Sequence, residues 1–254
     1  MGTDPPHVAD GIARIAPAVA DVTKDRQVPE RDLRSYGRRR GRTLSPRQKG
    51  LWLDVLPRVA LPRDAAGLQR PAELFTPPAG KLWLEIGFGG GEHLIWQATH
   101  NPNVGLIGCE PFEHGVVKVL SAVDSGKLAN IKVHADDGRP LLRLLPDASV
   151  DRVFVLFPDP WPKKRHHKRR LVSSETVVEL ARILGTDGEL RVATDIGEYA
   201  CAILRAVLDN GSFRWMAAGP EDWRNRPPDW PQTRYEAKAL REGRRCYYFR
   251  FGRV

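Results

Sequence analysis

The sequence of 254 residues predicts an α/β fold, in the form of a doubly wound, mostly parallel, seven-stranded Rossmann-like sheet with a closing antiparallel strand. From Lys81 onward, strand-like and helix-like segments alternate, which is typical of parallel strands joined by right-handed crossovers. A glycine-rich turn follows the first of these strands. Acidic residues follow the second, third and fourth strands, at the edge where open α/β sheets bind their ligands.

Two segments are predicted to precede the sheet domain, which spans residues 61–254. Residues 1–30 contain four prolines without apolar periodicity and predict a disordered tail. Residues 31–60 predict a basic N-terminal arm followed by a helix over 47–55, which starts at a capping-box pattern after Ser45. In the arm, Tyr36 lies among arginines that can pair with phosphates while its ring is free to stack on a base.

The segments of the sheet domain follow from their periodicity and their breakers. Strands are predicted at 82–86, 104–109, 130–135, 150–157 and 188–194, and helices near 92–99, 113–124, 173–185 and 196–210. The pattern changes after Asn210. Residues 213–217 and 246–251 predict two further strands that form a closing antiparallel pair.

The composition favours a cytoplasmic protein with a full hydrophobic core, since 41% of the residues are hydrophobic. Every apolar run is too short for a membrane span, and the early run 12–20 has no basic segment before it, so we expect neither a membrane partner nor a signal peptide. Cys109, Cys201 and Cys246 are odd in number and far apart, so we expect reduced thiols and no structural metal.

The net charge of +9 is concentrated in two short segments. Residues 31–49 contain eight basic residues and one acid, and residues 163–170 contain six cations and no acid. The rest of the chain is therefore mildly acidic. Two basic patches on an acidic body indicate a partner with a phosphate backbone.

The glycine-rich turn over 87–91 predicts close approach of a ligand to the backbone. A dinucleotide fingerprint would require a small residue where Glu92 stands, and a carboxylate at Glu85 would repel a pyrophosphate. These two acids disfavour a nicotinamide-dependent oxidoreductase. They favour a cationic cofactor.

Acids also follow the second and third strands. Glu110 is placed to accept hydrogen bonds from both hydroxyls of a ribose, and Asp136 or Asp137 can accept one from the exocyclic amine of adenine. A ribose, an adenine and a positive centre beside carboxylates together describe S-adenosylmethionine. Each acid alone could instead cap the helix that follows it.

The fourth strand leads into a segment that contains both a candidate catalytic acid and a run of cations. Pro158 and Pro160 flank Asp159, so a carboxylate is held on stiff backbone just past the carboxyl end of a strand. The cations that follow suit a polyanion better than a small substrate. A solvated basic loop behind an ordinary strand is the alternative interpretation.

Five motifs together resemble the bacterial tRNA (guanine-N7-)-methyltransferase family from about Leu33 to the C-terminus. They are EIGFGGG at 85–91, Glu110-Pro111, FPDPWPK at 157–163, ATD at 193–195 and TRYE at 233–236. The resemblance implies a class I methyltransferase fold that uses S-adenosylmethionine to methylate N7 of a guanine in the tRNA variable loop. It implies tRNA as the partner, and we expect no metal, membrane or protein partner.

The resemblance also implies roles for individual residues. The cofactor-binding set is Glu85, Gly87, Gly89, Glu110, Asp137 and Asp159, and Asp159 is also the catalytic residue. The substrate-binding set is Lys163, Asp195, Thr233, Arg234, Tyr235 and Glu236, and the RNA-contact set is Arg165, His166, His167, Lys168, Arg169 and Arg170. For the adenine contact, the family motif favours Asp137, whereas a gapless count back from Asp159 favours Asp136. We choose Asp137.

Alternatives remain open for several of these residues. Asp159 can act by stabilising charge or by recognising the guanine edge, and Asp195 or Glu236 can share the second task. On local pattern alone, Asp195 reads as a helix N-cap and Glu236 as a surface partner of Lys238. The rival functions are methylation of an exocyclic amine and RNA binding by an inactive domain. We also expect loss of residues 1–44 to weaken tRNA binding while leaving cofactor affinity nearly intact.

Overall fold

The computed structural model describes residues 36–37, 39–126 and 128–254. The predicted tail over 1–30 and the first residues of the predicted arm, 31–35, lie outside the described residues. The predicted helix after the arm is present and runs one turn further than expected, as α1 (Pro46–Gly50), a π-helical segment (Leu51–Val55) and α2 (Leu56–Val59). It starts at Ser45 because a complete capping box forms there: the Gln48 amide donates to Ser45 Oγ at 3.3 Å and the Ser45 amide donates to Gln48 Oε1 at 2.9 Å.

The described residues form a central sheet of seven strands in the order β3-β2-β1-β4-β5-β7-β6. The strands are β1 (Lys81–Ile86), β2 (Val104–Cys109), β3 (Ile131–His134), β4 (Val150–Leu156), β5 (Leu184–Thr194), β6 (Phe213–Trp215) and β7 (Tyr247–Arg253). The first five are parallel, and β7 pairs antiparallel with both β5 and β6. The predicted fold class is confirmed, including the closing antiparallel pair.

In the described part of the chain, seven further helices connect these strands. They are α3 (Glu92–His100), α4 (Glu113–Gly126), α5 (Gly138–Leu144), α6 (Ser174–Ile183), α7 (Gly197–Leu208), α8 (Glu221–Arg224) and α9 (Arg234–Arg241), with 3₁₀ turns at Ala66–Leu68, Pro71–Leu74 and Lys164–Arg169. The sequence predicted α3, α4, α6 and α7 but not α5, α8 or α9. The helix α9 is short and rich in charged residues, and the residues that it buries are Glu236 and Ala239.

The predicted boundary between the helix over 173–185 and the strand over 188–194 was wrong, since β5 starts at Leu184. The sequence extended a helix over 173–185, but α6 ends at Ile183 and Leu184 already pairs with Val150 of β4. The run of apolar residues at this junction fits a buried helix end and a buried strand equally well, so periodicity could not separate them.

Both faces of the sheet are buried. Leu82, Leu84 and Ile86 of β1 pack with the side of the core that includes α5, α6 and α7, while Trp83 packs with the side that includes α3 and α4. This alternation follows from the period of two along a strand. The strand order reverses between β1 and β4, so their carboxyl ends form the crevice at which open α/β sheets bind ligands. No helix among the described residues is long and apolar enough to cross a membrane.

Candidate functional site

A cavity of about 530 Å³ lies at the carboxyl edge of the sheet, within the size range of small-molecule sites. The glycine turn after β1, the ends of β2 and β4, the start of α5, the arm and the start of α9 line it. Of the residues that the sequence singled out, the lining includes Tyr36, Gly87, Gly89, Glu110, Asp137, Asp159, Arg169, Arg234 and Tyr235.

The glycine turn places backbone, rather than side chains, against this cavity. Gly89 has a φ of 54°, in the left-handed region that favours glycine, and a Cβ there would lie 3.1 Å from the Tyr235 ring. Gly115 of α4 is equally constrained, because a Cβ on it would lie 2.1 Å from the carbonyl oxygen of Gly89. The small residue at 115 thus lets α4 pack directly on the turn.

Glu110 fixes the turn from the end of β2. Its Oε2 accepts a hydrogen bond from the Gly89 amide at 2.7 Å, and its Oε1 accepts one from the Phe112 amide at 2.9 Å. Burial raises the pKa of Glu110, the two amides oppose that shift, and the carboxylates of Asp159 and Glu85 add to it. A buried acid therefore faces the cavity while it organises the glycine turn.

Glu85 lies behind the turn instead of in the cavity lining. It is buried, and its Oε2 is 2.8 Å from Nδ1 of the buried His93 on α3. Nε2 of His93 lies 3.1 Å from Nε2 of Gln97, whose amide also donates to the carbonyl of Asp229 at 2.8 Å. His93 was not predicted from the sequence as a site residue. The available signal was its position in the chain, eight residues after Glu85 and just after the glycine-rich turn.

The two candidate acids after β3 have different surroundings. Asp137 lines the cavity, accepts from the Arg139 amide at 3.0 Å at the start of α5, and pairs with the Arg139 side chain at 2.6 Å. Asp136 is not among the lining residues and pairs with Arg39 of the arm at 2.5 Å. The cap interpretation thus holds for Asp137, which also lines the cavity.

Asp159 is exposed and lines the cavity from the loop after β4. Phe157 and Trp161, on either side of it, have φ values of 51° and 45°. These are left-handed conformations that non-glycine residues adopt only when their surroundings hold them. The Phe157 amide is anchored by the carbonyl of Ala193 at 2.8 Å.

Tyr36 of the arm reaches the same loop. The guanidinium carbon of Arg169 lies 4.9 Å from the ring centroids of both Tyr36 and Trp161, and that of Arg139 lies 5.7 Å from Tyr36. The rings of Tyr36 and Trp161 meet edge to face at 6.3 Å. These four residues, which we call the aromatic–arginine cluster, bring the arm, α5 and the loop after β4 together at the cavity.

The predicted substrate-binding residues divide into two groups. Arg234 pairs with Glu92 and Tyr235 packs near Gly89, so both lie at the cavity. The other four are Lys163, Asp195, Thr233 and Glu236, which are not among the lining residues.

The interpretations based on local pattern were wrong for two members of that second group. Asp195 pairs with Arg244 at 2.7 Å, and α7 starts without a side-chain cap. Glu236 is buried, where it accepts from the Tyr248 hydroxyl at 2.7 Å and pairs with Arg226 at 2.9 Å. Thr233 caps α9 by accepting from the Glu236 amide at 3.2 Å.

The residues of the basic loop over 163–170 also differ in their exposure. Lys163, Lys164, Arg165 and Lys168 are exposed, and His166 and His167 are half-buried. Arg169 belongs to the aromatic–arginine cluster. Arg170 is buried and paired with Glu198. Within the described part of the chain, no group of three or more histidines, cysteines or acids could hold a metal ion.

Comparison with known proteins gives one consistent family. The model of a family described as putative methyltransferases matches residues 79–249. The chain is 48% identical over 228 residues to a tRNA (guanine-N(7)-)-methyltransferase of Rhodospirillum rubrum, with 89% of each chain covered. It is 46% identical to one of Nitrobacter hamburgensis, with 86% of each chain covered. The structure of the 16S rRNA methyltransferase KamB shares the fold, with a TM-score of 0.50 and 16% identity over 69% of this chain and 89% of that one. The chain described here belongs to the tRNA (guanine-N(7)-)-methyltransferase family.

Proposed function

We propose that this protein transfers a methyl group from S-adenosylmethionine to N7 of a guanine in the variable loop of tRNA. One observation carries the proposal: Asp159 lines the same cavity as Gly89 and Glu110, at the switch point of the sheet. The glycine turn and Glu110 suit a nucleoside cofactor, and the exposed cations that follow Asp159 suit RNA. The names of the relatives support methylation of N7 of a guanine in tRNA.

The residues of the cavity fit S-adenosylmethionine. When bound, this cofactor supplies a methyl carbon activated by the positively charged sulfur. Glu110 would accept hydrogen bonds from the ribose, and Asp137 would accept one from the adenine amine, which its position in the lining favours over Asp136. The backbone of Gly87 and Gly89 would face the cofactor where a side chain would collide. Glu85, behind the turn, would act indirectly through its contact with His93 at the start of α3.

Methylation at N7 makes a particular demand on the protein. N7 of guanine already has an in-plane lone pair, so no side chain has to remove a proton before the attack. Aligned reactants can lower a barrier by roughly 7 to 11 kcal/mol, so the main task of the site is to position the purine. The strained loop that holds Asp159 between Phe157 and Trp161 supports that task.

Asp159 has two roles available in this reaction. As the purine gains positive charge, a preorganised carboxylate beside it stabilises that charge. The same carboxylate can accept hydrogen bonds from the N1 and N2 donors, which guanine presents together. Tyr235, which is exposed, and Arg234 also line the cavity and would contact the substrate there.

The RNA backbone would bind along the exposed part of the basic loop. Lys163, Lys164, Arg165 and Lys168 can reach phosphates because all four are exposed. Among them, Arg165 also donates to His166 Nε2 at 3.4 Å. His166 and His167 lie beside them. Arg39, Arg40 and Arg42 extend this basic surface on the arm.

The proposal is tested with an unmodified tRNA transcript and S-adenosylmethionine labelled in the methyl group. We expect the label in 7-methylguanosine after digestion to nucleosides. A transcript with adenine in place of each variable-loop guanine should remain unlabelled. Label in a base methylated on an exocyclic amine, or no transfer to any transcript, would overturn the proposal.

A further inference from the structure

Arg170, the last cation of the basic loop, has surroundings unlike those of the exposed cations before it. Its side chain is 5% exposed. Its Nε donates to the carbonyl oxygen of Pro160 at 2.8 Å, and its Nη1 donates to Glu198 Oε1 at 3.1 Å, while Nη2 pairs with the other oxygen of the same carboxylate. One guanidinium thus joins the residue after Asp159 to the first turn of α7.

The Arg170 side chain packs against a buried aromatic residue. The Arg170 guanidinium lies over the ring of Tyr199, with its carbon 4.6 Å from the ring centroid. Tyr199 is fully buried, and its hydroxyl accepts a hydrogen bond from the Val172 amide at 3.1 Å. A planar guanidinium can stack on a ring and donate in several fixed directions at once, and a lysine ammonium cannot.

The loop that Arg170 contacts needs such support. Phe157 and Trp161 are both non-glycine residues with positive φ, and such conformations persist only where the surrounding structure fixes them. The Phe157 amide is held by Ala193 on one side of Asp159, and the Pro160 carbonyl is held by Arg170 on the other. Both backbone anchors therefore flank the proposed catalytic carboxylate.

We propose that Arg170 is a positioning residue that holds Asp159 in place through the Pro160 carbonyl, with Glu198 as its support, and that it does not contact RNA. This inference rests on the proposed function, in which Asp159 acts at the purine. The basic run over 163–170 would then contain residues with two different roles. The exposed cations bind phosphate, and the final buried arginine serves catalysis.

The variant Arg170→Lys separates the two roles because it keeps the positive charge but loses the fork. We expect its single-turnover rate, at saturating tRNA and cofactor, to fall at least tenfold. Its tRNA affinity and the salt dependence of that affinity should match those of the wild-type protein. An RNA-contact role predicts the reverse, with altered tRNA binding and a normal rate at saturation. Arg205→Lys, an exposed arginine on α7, is the matched control.

Glu198→Gln gives a second test, because the two roles predict different changes in tRNA affinity and in the saturated rate. If Arg170 contacted RNA, removal of the paired carboxylate would free a cation and tighten tRNA binding. If Arg170 positions Asp159, the saturated rate should fall and tRNA binding should stay unchanged. Glu198 is 59% exposed, so this variant decides the matter even if Arg170→Lys does not fold.

A double variant shows whether Arg170 acts through Asp159. In the Asp159→Ala background, Arg170→Lys should cause little further loss of rate, because residues that act as a unit are not additive. Independent, multiplicative losses would overturn the positioning role. A normal saturated rate for both Arg170→Lys and Glu198→Gln, with Asp159→Ala inactive, would overturn this inference alone. Absence of 7-methylguanosine from the wild-type reaction would instead overturn the proposed function.

Discussion

The carboxylate of Glu110 accepts a hydrogen bond from the Gly89 amide at 2.7 Å, so the acid after β2 holds the glycine turn that follows β1. The two strands are neighbours in register, with Ile86 opposite Cys109, which brings the following residues together. One buried side chain therefore shapes the turn and faces the cavity. Substitutions at either end of this contact should change cofactor binding before they change RNA binding.

We predict that Glu110→Ala weakens binding of S-adenosylmethionine by roughly 1.5 to 3 kcal/mol, the range for loss of hydrogen bonds to a charged group. The binding should also depend on pH. Because burial raises the pKa of Glu110, its carboxylate becomes protonated at a higher pH than an ordinary glutamate, and affinity should fall as the pH is lowered through that raised pKa. Calorimetry across a pH series measures both effects.

The same shift has a consequence for stability. Between the pKa of an ordinary glutamate and the raised pKa of Glu110, the folded state binds more protons than the unfolded state. The contribution of Glu110 to the free energy of unfolding therefore declines as the pH rises through this range.

The pH dependence of cofactor affinity should be smaller in Glu110→Gln. Glu73→Ala, on an exposed turn, is the control, and equal cofactor affinities for Glu110→Ala and this control would remove Glu110 from the cofactor site.

We predict that Gly115→Ala impairs cofactor binding although residue 115 has no polar side chain to lose. A Cβ there would lie 2.1 Å from the Gly89 carbonyl oxygen, so α4 or the glycine turn must move. Overpacking of this kind costs about 1 to 3 kcal/mol, and here the strain falls on the turn. Gly80→Ala is the matched control, because a Cβ at Gly80 meets nothing within 4 Å. Equal thermal stability and cofactor affinity in the two variants would contradict the packing argument.

The pair of substitutions Asp159→Asn and Asp159→Ala distinguishes the two roles left open for that residue. Asparagine keeps the shape and one acceptor oxygen but loses the charge, and alanine loses both. If charge stabilisation dominates, both variants should lose about a hundredfold or more in single-turnover rate, comparable to the loss of one preorganised electrostatic contact. If guanine recognition dominates, Asp159→Asn should keep much more activity. Near-normal methyl transfer by folded Asp159→Ala, with cofactor saturating, would falsify the catalytic assignment.

Deletion of residues 1–44 should weaken tRNA binding and reduce the slope of log affinity against log salt concentration, since fewer counterions are released. The structure changes the expectation for the cofactor. Tyr36 and Gly37 line the cavity, so the deletion should also weaken S-adenosylmethionine binding. Tyr36→Ala in the full chain should reproduce the cofactor effect and keep most of the salt slope. Identical salt slopes for the full and shortened chains would exclude the arm as a phosphate contact.

The sequence by itself determined the sheet, the glycine turn and the position of Asp159. Periodicity of two or 3.6 residues is a local property, and it is strong in segments that bury apolar side chains, such as β1 and β2. Proline and glycine are equally local signals, so the loop after β4 and the turn after β1 could be predicted from the sequence. The motifs of the resemblance supplied the candidate site residues.

The tertiary structure alone decided what those residues touch. Arg165 and Arg170 belong to one basic run, yet Arg165 is exposed and Arg170 is buried, because Glu198 and Tyr199 lie on a helix that packs against the loop. The sequence treated Glu236 as either a substrate contact or a surface acid. The structure shows it paired inside the protein, because β7 brings Tyr248 to it.

Tyr36 and Trp161 are more than 120 residues apart in the chain, and no local pattern could have predicted that their rings meet. A charge or a ring in the sequence fixes which interactions a residue can form. Its burial and partners depend on which distant elements pack around it. That packing, rather than the basic composition of the loop, separates the exposed cations from the buried arginine that donates to the backbone beside Asp159.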